Sequence, residues 1–158
     1  MPLIYLETFI EAPQEVVFNL SRSVDLHKSS MKHHREEIID GISAGLMEKG
    51  NTVTWQARHL FKNRKLKVIL TELKMPHFFV DEMVKGDFKK MRHEHYFTKK
   101  DNATLMIDKF YFEAPFGILG KIVELMFLEN YVTRLLRRRN KEIKHMAESD
   151  QWKQFLNR

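Results

Sequence analysis

The sequence contains no cysteine, and only four prolines and six glycines among its 158 residues. Without cysteine the chain can form neither disulfides nor thiolate metal sites, and it has no cysteine nucleophile. Its longest apolar run, Leu125 to Leu128, is bounded by Glu124 and Glu129 and is far too short to span a membrane. The N-terminus also lacks the basic segment and long apolar stretch of a secretory signal. These absences predict a soluble, cytoplasmic protein.

The composition is that of an ordinary globular domain, with 43% hydrophobic and 30% charged residues. A chain of this length is long enough to bury a sizeable core. We therefore expect one ligand-binding domain over residues 1–158, with an ordered part of about 3–147.

The net charge is +6 and the pI is about 9.5, values that raise the question of a polyanionic partner. The positive charge is scattered along the chain and concentrated only from Arg134 to Lys144. A solvated helix face accounts for this run. No helix-turn-helix, zinc-finger or RNP-type motif is present. We predict no nucleic-acid partner and leave open whether the Arg134–Lys144 face contacts a membrane.

Alternation of apolar and polar residues predicts a series of strands. Helix signals interrupt the series once, where Pro13 and Glu15 predict a helix start and Asp25–Lys32 reads as a second short helix or a loop. In the segment 36–45, Gly41 and Gly45 suggest bulges. Because the later connections are short, neighbouring strands should be antiparallel. The predicted strands are Leu3–Glu11, Glu36–Gly45, Thr52–Phe61, Lys65–Lys74, Phe78–Lys85, Phe88–Lys99 and Thr104–Glu113.

A long helix is predicted over Gly117–Met146, since no proline interrupts this stretch and its apolar residues recur at helical spacing. One side carries Ile118, Ile122, Leu125, Val132, Leu136 and Ile143. Three further apolar residues, Val123, Met126 and Phe127, lie off this stripe and need a second surface to pack against. The element order predicts an α+β fold in which a curved antiparallel sheet wraps around the long helix, with space for a cavity between them.

The N-terminal part of the chain resembles a known superfamily. The opening strand followed by Ile10–Phe18, with Asp25 a short step on, is similar to the signature of START/polyketide-cyclase (SRPBCC) proteins. The resemblance covers essentially the whole chain and implies the helix-grip fold of the birch-pollen allergen. Within the superfamily, the chain is similar to an uncharacterised bacterial subgroup of ligand-binding members. The segments that carry this similarity are Gly50–His59, Pro76–Met83, Gly86–Phe88, His93–Phe97 and Pro115–Gly117.

His93 and His95 lie two residues apart on a predicted strand and therefore point to the same face. The opposite face of that strand is charged, so we expect the histidines to face the interior. Asp108 on the next strand, and more distantly His59 and Asp81, would join them. The full set of predicted ligand-binding residues is Trp55, His59, Phe79, Asp81, Met83, His93, His95, Asp108, Phe110 and Arg139.

Three roles are open for the histidine–aspartate group. It could be a hydrogen-bonded lining that orients the polar end of a ligand. It could be an acid–base pair, with His95 and Asp108 as catalytic candidates for a cyclase or dehydratase step. It could bind a metal, but a two-residue histidine spacing is common by chance, so we predict no metal and no cofactor.

Arg139 falls in the middle of the helix's apolar stripe. It could extend past the sheet edge, pair with a carboxylate, or anchor a ligand carboxylate. We expect the two short helices and the segment Met75–Phe78 to form the cavity entrance.

The function that these patterns favour is binding of a hydrophobic or amphipathic small molecule, lipid or polyketide-like, in the cavity. A cyclase- or dehydratase-type lyase using the same cavity is the alternative. A protein-interaction module, including a homodimer, is the second alternative, based on the apolar patch at Val123, Met126 and Phe127.

Overall fold

The computed structural model describes residues 1–115 and 121–156, apart from the side chains of Lys121, Val123 and Glu124. The sequence predictions at 116–120, among them the helix start at Gly117 and the place of Ile118 in the stripe, lie outside the described residues. So does the side chain of Val123 in the predicted interaction patch.

The order of the elements matches the predicted one. After β1 come two short helices and a 3₁₀ turn at Lys32–His34, then six strands and a long helix, followed by a 3₁₀ turn at Asp150–Trp152 and a final short helix. The strands are β1 Leu3–Ile10, β2 Glu37–Gly41, β3 Thr52–His59, β4 Lys62–Lys74, β5 Phe78–Lys85, β6 Lys90–Lys100 and β7 Ala103–Glu113. The helices are α1 Gln14–Ser21, α2 Val24–Ser30, α3 Lys121–Ala147 and α4 Lys153–Leu156.

All seven strands belong to one antiparallel sheet in the order β1-β7-β6-β5-β4-β3-β2. Strands β2 to β7 follow one another in space as in sequence, because their connections are too short for crossovers. β1 pairs with β7, with Leu3 opposite Tyr111 and Ile10 opposite Thr104. The predicted α+β fold, a curved sheet around a long C-terminal helix, is confirmed.

Strand alternation decides which side chains face inward. On β6 the buried residues are Met91, His93, His95 and Phe97. On the outer face of β6, Arg92 pairs with Glu72, Glu82 and Glu94 at 2.9, 3.2 and 2.8 Å. A charged outer face and an apolar inner face fix the register of the strand, since a shift by one residue would exchange them.

The turn between β3 and β4 differs from the predicted one. The sequence predicts a break at Lys62-Asn63-Arg64, whereas the chain turns at Leu60 and Phe61, which have φ angles of 51° and 66°. Two residues at positive φ match the tight turn that suits a twisted hairpin, although Asn and Gly are the residues that favour it. The turn leaves the Phe61 side chain almost fully exposed.

The segment predicted as the strand Glu36–Gly45 is shorter, because β2 ends at Gly41. Its pairing with β3 shifts register between Ile38 and Asp40, which is the expected kind of irregularity. At Gly41, with φ of 87°, a Cβ atom would lie 2.1 Å from the carbonyl oxygen of Thr52. Only glycine fits there.

Helix α3 packs against the sheet and the short helices along part of the predicted stripe. Val132, Leu136 and Ile143 are buried as predicted. Ile122 is 75% exposed, so its predicted place in the buried stripe is wrong. Met126 and Phe127 are also more than half exposed. Leu125 and Leu128 are partly buried against the core, so the inward side of α3 includes them as well as Val132, Leu136 and Ile143.

The segment after residue 147 contains the 3₁₀ turn and α4. Trp152, Phe155 and Leu156 pack against the core cluster that contains Phe18, Phe97 and Ile143. Among the described residues, no helix is both long enough and apolar enough to cross a bilayer.

Candidate functional site

A cavity of about 600 Å³ lies between the sheet and α3. Its wall is mainly apolar because the inward residues of β3 and β4, together with those of α3, are aliphatic or aromatic. The apolar wall includes Val53, Trp55, Ala57, Leu66, Val68, Leu70, Phe79, Phe88, Met91, Phe110, Leu128, Val132, Leu135 and Leu136.

A polar cluster interrupts this wall where β5, β6 and β7 adjoin. The register places Asp81 directly opposite His93, and His95 directly opposite Asp108. Since opposite residues of a pair share a face, all four side chains point inward. Asp81, His93 and His95 line the cavity, whereas Asp108 lies behind them and is fully buried.

Asp108 is the acceptor at the centre of the cluster. Its Oδ1 accepts a hydrogen bond from His93 Nε2 at 2.8 Å and lies 3.1 Å from His95 Nδ1. Its Oδ2 accepts from Asn140 Nδ2 at 2.6 Å. Burial alone would raise the pKa of Asp108, but these hydrogen bonds and the nearby charge of Arg139 hold it well below the usual range. Asp108 is therefore an ionised, fully partnered carboxylate.

His95 lies between two carboxylates. Its Nε2 is 2.8 Å from Asp81 Oδ2, on the side away from Asp108. The ring stacks on Phe79 with centroids 4.1 Å apart. Each ring nitrogen of His95 therefore faces a carboxylate oxygen.

His93 is the histidine with a free ring nitrogen. A carboxylate oxygen can only accept, so Nε2 carries the hydrogen that is donated to Asp108. Burial, followed by the charge of His95, lowers the pKa of His93 to about 4. At neutral pH the ring is thus neutral, and its Nδ1, which has no hydrogen-bond partner among the described residues, carries a lone pair.

Arg139 is buried against the same cluster. Its Nη1 lies 3.4 Å from Asp108 Oδ1 and donates to Asn140 Oδ1 at 3.0 Å, while Nη2 donates to the Ser21 carbonyl at 3.2 Å. Of the roles left open by the sequence, the structure places Arg139 beside a carboxylate of the protein. Its donors are largely occupied, which disfavours an anchor for a ligand carboxylate.

The side chains of Arg64 and Asp87 mark the open side of the cavity. They form a 2.6 Å ion pair and are 34% and 55% exposed. Nearby, the Tyr131 hydroxyl lies 2.8 Å from His59 Nδ1, and the His59 ring stacks on His34. Of the predicted entrance, the short helices contribute lining residues such as Ser21 and His27, whereas Met75–Phe78 does not line the cavity. Beside that segment, the Gln14 amide donates to the Phe97 carbonyl at 2.8 Å.

Most of the predicted binding residues lie on the cavity wall, namely Trp55, His59, Phe79, Asp81, His93, His95, Phe110 and Arg139. Two do not. Met83 is partly buried against the core cluster that contains Trp55 and Phe110, and it does not line the cavity. Asp108 supports both histidines from behind and has no exposed surface with which to touch a ligand.

Several polar residues of the site were not predicted. Asn140, which holds Asp108, stands in a run of arginines and lysines that reads as a solvated face. Tyr131 and Glu36 line the cavity, but nothing in the local pattern singles them out. Leu136 and Ile143 lie four residues before and three residues after Asn140, on the same side of the helix, and this spacing is the signal that could have assigned Asn140 to the interior.

Comparison with known proteins identifies relatives by structure only. A scan against protein-family models finds no match, and a search of curated proteins likewise finds none. Among solved structures, a START superfamily protein from Mycobacterium smegmatis superposes with a TM-score of 0.70 at 10% identity, covering 92% of this chain and 97% of that one.

Two further structures extend the comparison. The major latex-like protein 151 of Panax ginseng has a TM-score of 0.67 at 13% identity and covers 94% of this chain and 98% of its own. A protein from Thermus thermophilus has a TM-score of 0.68 at 18% identity, with coverages of 90% and 97%. At such low identity these likenesses concern the fold. The chain therefore has the START-like helix-grip fold that its sequence predicts, the fold also found in major latex-like proteins.

Proposed function

We propose that this protein binds a hydrophobic or amphipathic small molecule, of the lipid or polyketide-like class, in the cavity between its sheet and α3. The observation that carries the proposal is an apolar cavity of about 600 Å³ with one polar cluster in its wall. This volume lies within the range of roughly 300–1,000 Å³ that is usual for small-molecule sites.

The chemistry of the wall defines the kind of ligand. Aliphatic and aromatic side chains cover apolar ligand surface, and the free energy of binding becomes more favourable by about 25 cal/mol for each Å² removed from water. Asp81 and His93 offer the polar end of the ligand a carboxylate and a ring nitrogen with a lone pair. A hydroxyl group at one end of an otherwise apolar molecule fits both features.

The structural relatives agree with this proposal in a general way. They share the helix-grip fold, in which a sheet encloses space against a helix. A fold alone does not fix a function, so the ligand class rests on the wall of this cavity. The predicted cytoplasmic location and the absence of a nucleic-acid partner stay predictions.

A lyase-type enzyme of the cyclase or dehydratase class is the second candidate. It is favoured by one observation, the placement of His95 within 2.8 Å of Asp81 and 3.1 Å of Asp108 on the cavity wall. A histidine oriented by carboxylates can transfer protons to and from a bound substrate. Turnover lost in His95→Gln with binding retained would favour this candidate, whereas a parallel loss of binding would favour a carrier.

The interaction module is the third candidate. It rests on Met126 and Phe127, which are exposed on α3. A concentration-dependent mass in light scattering that disappears in Phe127→Glu would support a homodimer.

The test of the binding proposal is mass spectrometry of natively purified protein, followed by solvent extraction. We expect a stoichiometric compound with a long apolar or polycyclic part. Ala57→Phe should fill the cavity and reduce its occupancy at least tenfold, while Gln56→Phe, on the opposite face of β3, serves as the matched control. Empty protein from several hosts, together with no saturable binding of fatty acids or flavonoids, would overturn the proposal.

A further inference from the structure

The side chains of Asp81, His93 and His95 hold three polar atoms close together, an arrangement that binding of an apolar ligand does not require. One carboxylate oxygen of Asp81 and one ring nitrogen of each histidine lie within 4.8 Å of one another. All three side chains line the cavity. We propose that they bind a divalent transition-metal ion whose remaining coordination positions face the cavity.

The residues behind this group support the assignment. Asp108 engages one nitrogen of each ring, His93 Nε2 at 2.8 Å and His95 Nδ1 at 3.1 Å. The nitrogens left for a metal are His93 Nδ1 and His95 Nε2. Metal-binding histidines usually donate their second N–H to a carboxylate, which fixes the tautomer and the direction of the lone pair. Here one carboxylate performs this task for both rings, and Asn140 holds it in place at 2.6 Å.

The spacing of the ligand atoms suits a shared ion. His95 Nε2 and Asp81 Oδ2 are 2.8 Å apart. Nitrogen and oxygen ligands of a tetrahedral Zn²⁺ ion, at about 2.0–2.2 Å from it, lie about 3.4 Å from each other. A metal can therefore replace the hydrogen between these two atoms if they move apart by about 0.6 Å.

The charge of the cluster also favours a cation. Asp81 and Asp108 together contribute two negative charges, and Arg139 contributes one positive charge, so neutral imidazoles leave an excess of one negative charge. Buried charge is costly unless it is compensated. Arg139 adds only one positive charge, and its nitrogens contact Asp108, Asn140, the Ser21 carbonyl and, at 3.5 Å, His95 Nδ1.

The donor set indicates the class of metal. Two imidazoles and a carboxylate with open positions are typical of Zn²⁺ and of non-haem Fe²⁺, whereas Ca²⁺ and Mg²⁺ prefer oxygen ligands alone. The sequence predicts no metal because the two-residue spacing of His93 and His95 is common by chance. The structure adds that Asp81, which the sequence also predicts near the histidines, lies within 2.8 Å of His95.

The metal site does not depend on the proposed organic ligand, and its test needs none. Full-length protein freed of metal with a chelator is titrated with Zn²⁺ by calorimetry, and with Co²⁺ by visible absorption. We expect one ion per chain, with d–d bands of a site containing nitrogen and oxygen ligands. In wild-type protein, Zn²⁺ should shift the ring ¹⁵N resonances of His93 and His95. This measurement does not depend on whether any variant folds.

Two variants assign the ligands. Asp81→Asn and His93→Gln, checked for folding by circular dichroism, should each weaken Zn²⁺ binding at least tenfold. The double variant His33→Gln/His145→Gln is the matched control, because it removes two exposed histidines that do not line the cavity and should bind normally. No stoichiometric binding to wild-type protein, or loss of binding in the control variant alone, would overturn the proposal.

Discussion

Asp108 and His93 are hydrogen-bonded diagonally across two strands, although the register pairs Asp108 with His95. His93 is paired in the register with Phe110, two residues along β7 from Asp108. The single carboxylate of Asp108 therefore contacts both His93 and His95. Asp108 has no exposed surface, so its negative charge interacts with the surrounding donors and not with water. This arrangement makes Asp108 the residue on which the cluster depends.

We therefore expect Asp108→Asn to destabilise the fold by about 3 kcal/mol, because it removes a charge that buried donors require. Urea denaturation at pH 7 measures the loss. Asp87→Asn is the matched control, since Asp87 belongs to an exposed ion pair with Arg64 and should cost less than about 1 kcal/mol. Equal losses in the two variants would contradict this account of the cluster.

Ligand binding should be visible in the fluorescence of Trp55, which is buried, lies with its ring centroid 4.4 Å from that of His27, and lines the cavity. The second tryptophan, Trp152, packs on a different core cluster near the C-terminus. Titration with oleic acid or a flavonoid should change the emission of wild-type protein and of Trp152→Phe. The change should vanish in Trp55→Phe, and its persistence there would place the ligand outside the cavity.

The sequence predicts much of this fold because period-two alternation and short connections leave few other arrangements. The inward positions of His93 and His95 follow from their spacing on one strand. What alternation does not encode is diagonal pairing: nothing in the sequence shows that Asp108 reaches His93, or that Asp81 reaches His95. Asn140 escapes prediction because its neighbours are charged, although helix geometry places it beside Arg139.

The β3–β4 turn is predicted at the wrong residues, and its actual position decides where Arg64 lies relative to the cavity. Leu60 and Phe61 lack the Asn or Gly that signals a tight hairpin, so the sequence predicts the turn at Lys62–Arg64. With the turn two residues earlier, Arg64 lies on β4 and pairs with Asp87 at the cavity opening. The segment Met75–Phe78, one part of the predicted entrance, does not line the cavity, whereas residues of the two short helices do.

The two halves of α3 should differ in their contribution to stability. Ile143 is 2% exposed within the core, whereas Ile122 is 75% exposed, although the sequence predicts both on one stripe. Ile143→Ala should cost about 2–4 kcal/mol, since it removes packed methylene groups and leaves a cavity. Ile122→Ala should stay within about 0.5 kcal/mol in the same urea assay. A cost at Ile122 of the size expected for Ile143 would show that its surface is covered in solution.

The C-terminal segment should also stabilise the fold. Glu148 Oε1 accepts a hydrogen bond from the backbone N–H of Glu11 at 2.9 Å, and Trp152 and Phe155 cover the core beyond it. Ending the chain after Ala147 should lower the free energy of unfolding by about 2 kcal/mol or more, because this apolar contact is lost. Trp152→Ala should reproduce part of the loss. Lys153→Ala, on a half-exposed side chain, should not.

Titration of His59 tests the electrostatics of the cavity entrance. Burial and the nearby His34 and Arg64 lower the pKa of His59 below its usual 6.5, against the opposing effect of Glu36. Proton NMR should report a value below 6.5, and Arg64→Gln should raise it. A pKa of His59 at or above 6.5 in the wild-type protein would be inconsistent with this environment.

The same shift has a consequence for stability. Because the pKa of His59 is lower in the folded state than in the unfolded state, the unfolded chain binds the proton more readily. The stability that comes from this difference is therefore present above about pH 6.5 and is lost as the pH falls through the folded pKa. His59→Gln removes the titrating group, so its free energy of unfolding should fall less between pH 7.5 and pH 5 than that of wild-type protein. An equal fall would mean that His59 is as accessible to protons in the folded state as in the unfolded state, and that the stacked pair with His34 does not exclude water from the entrance.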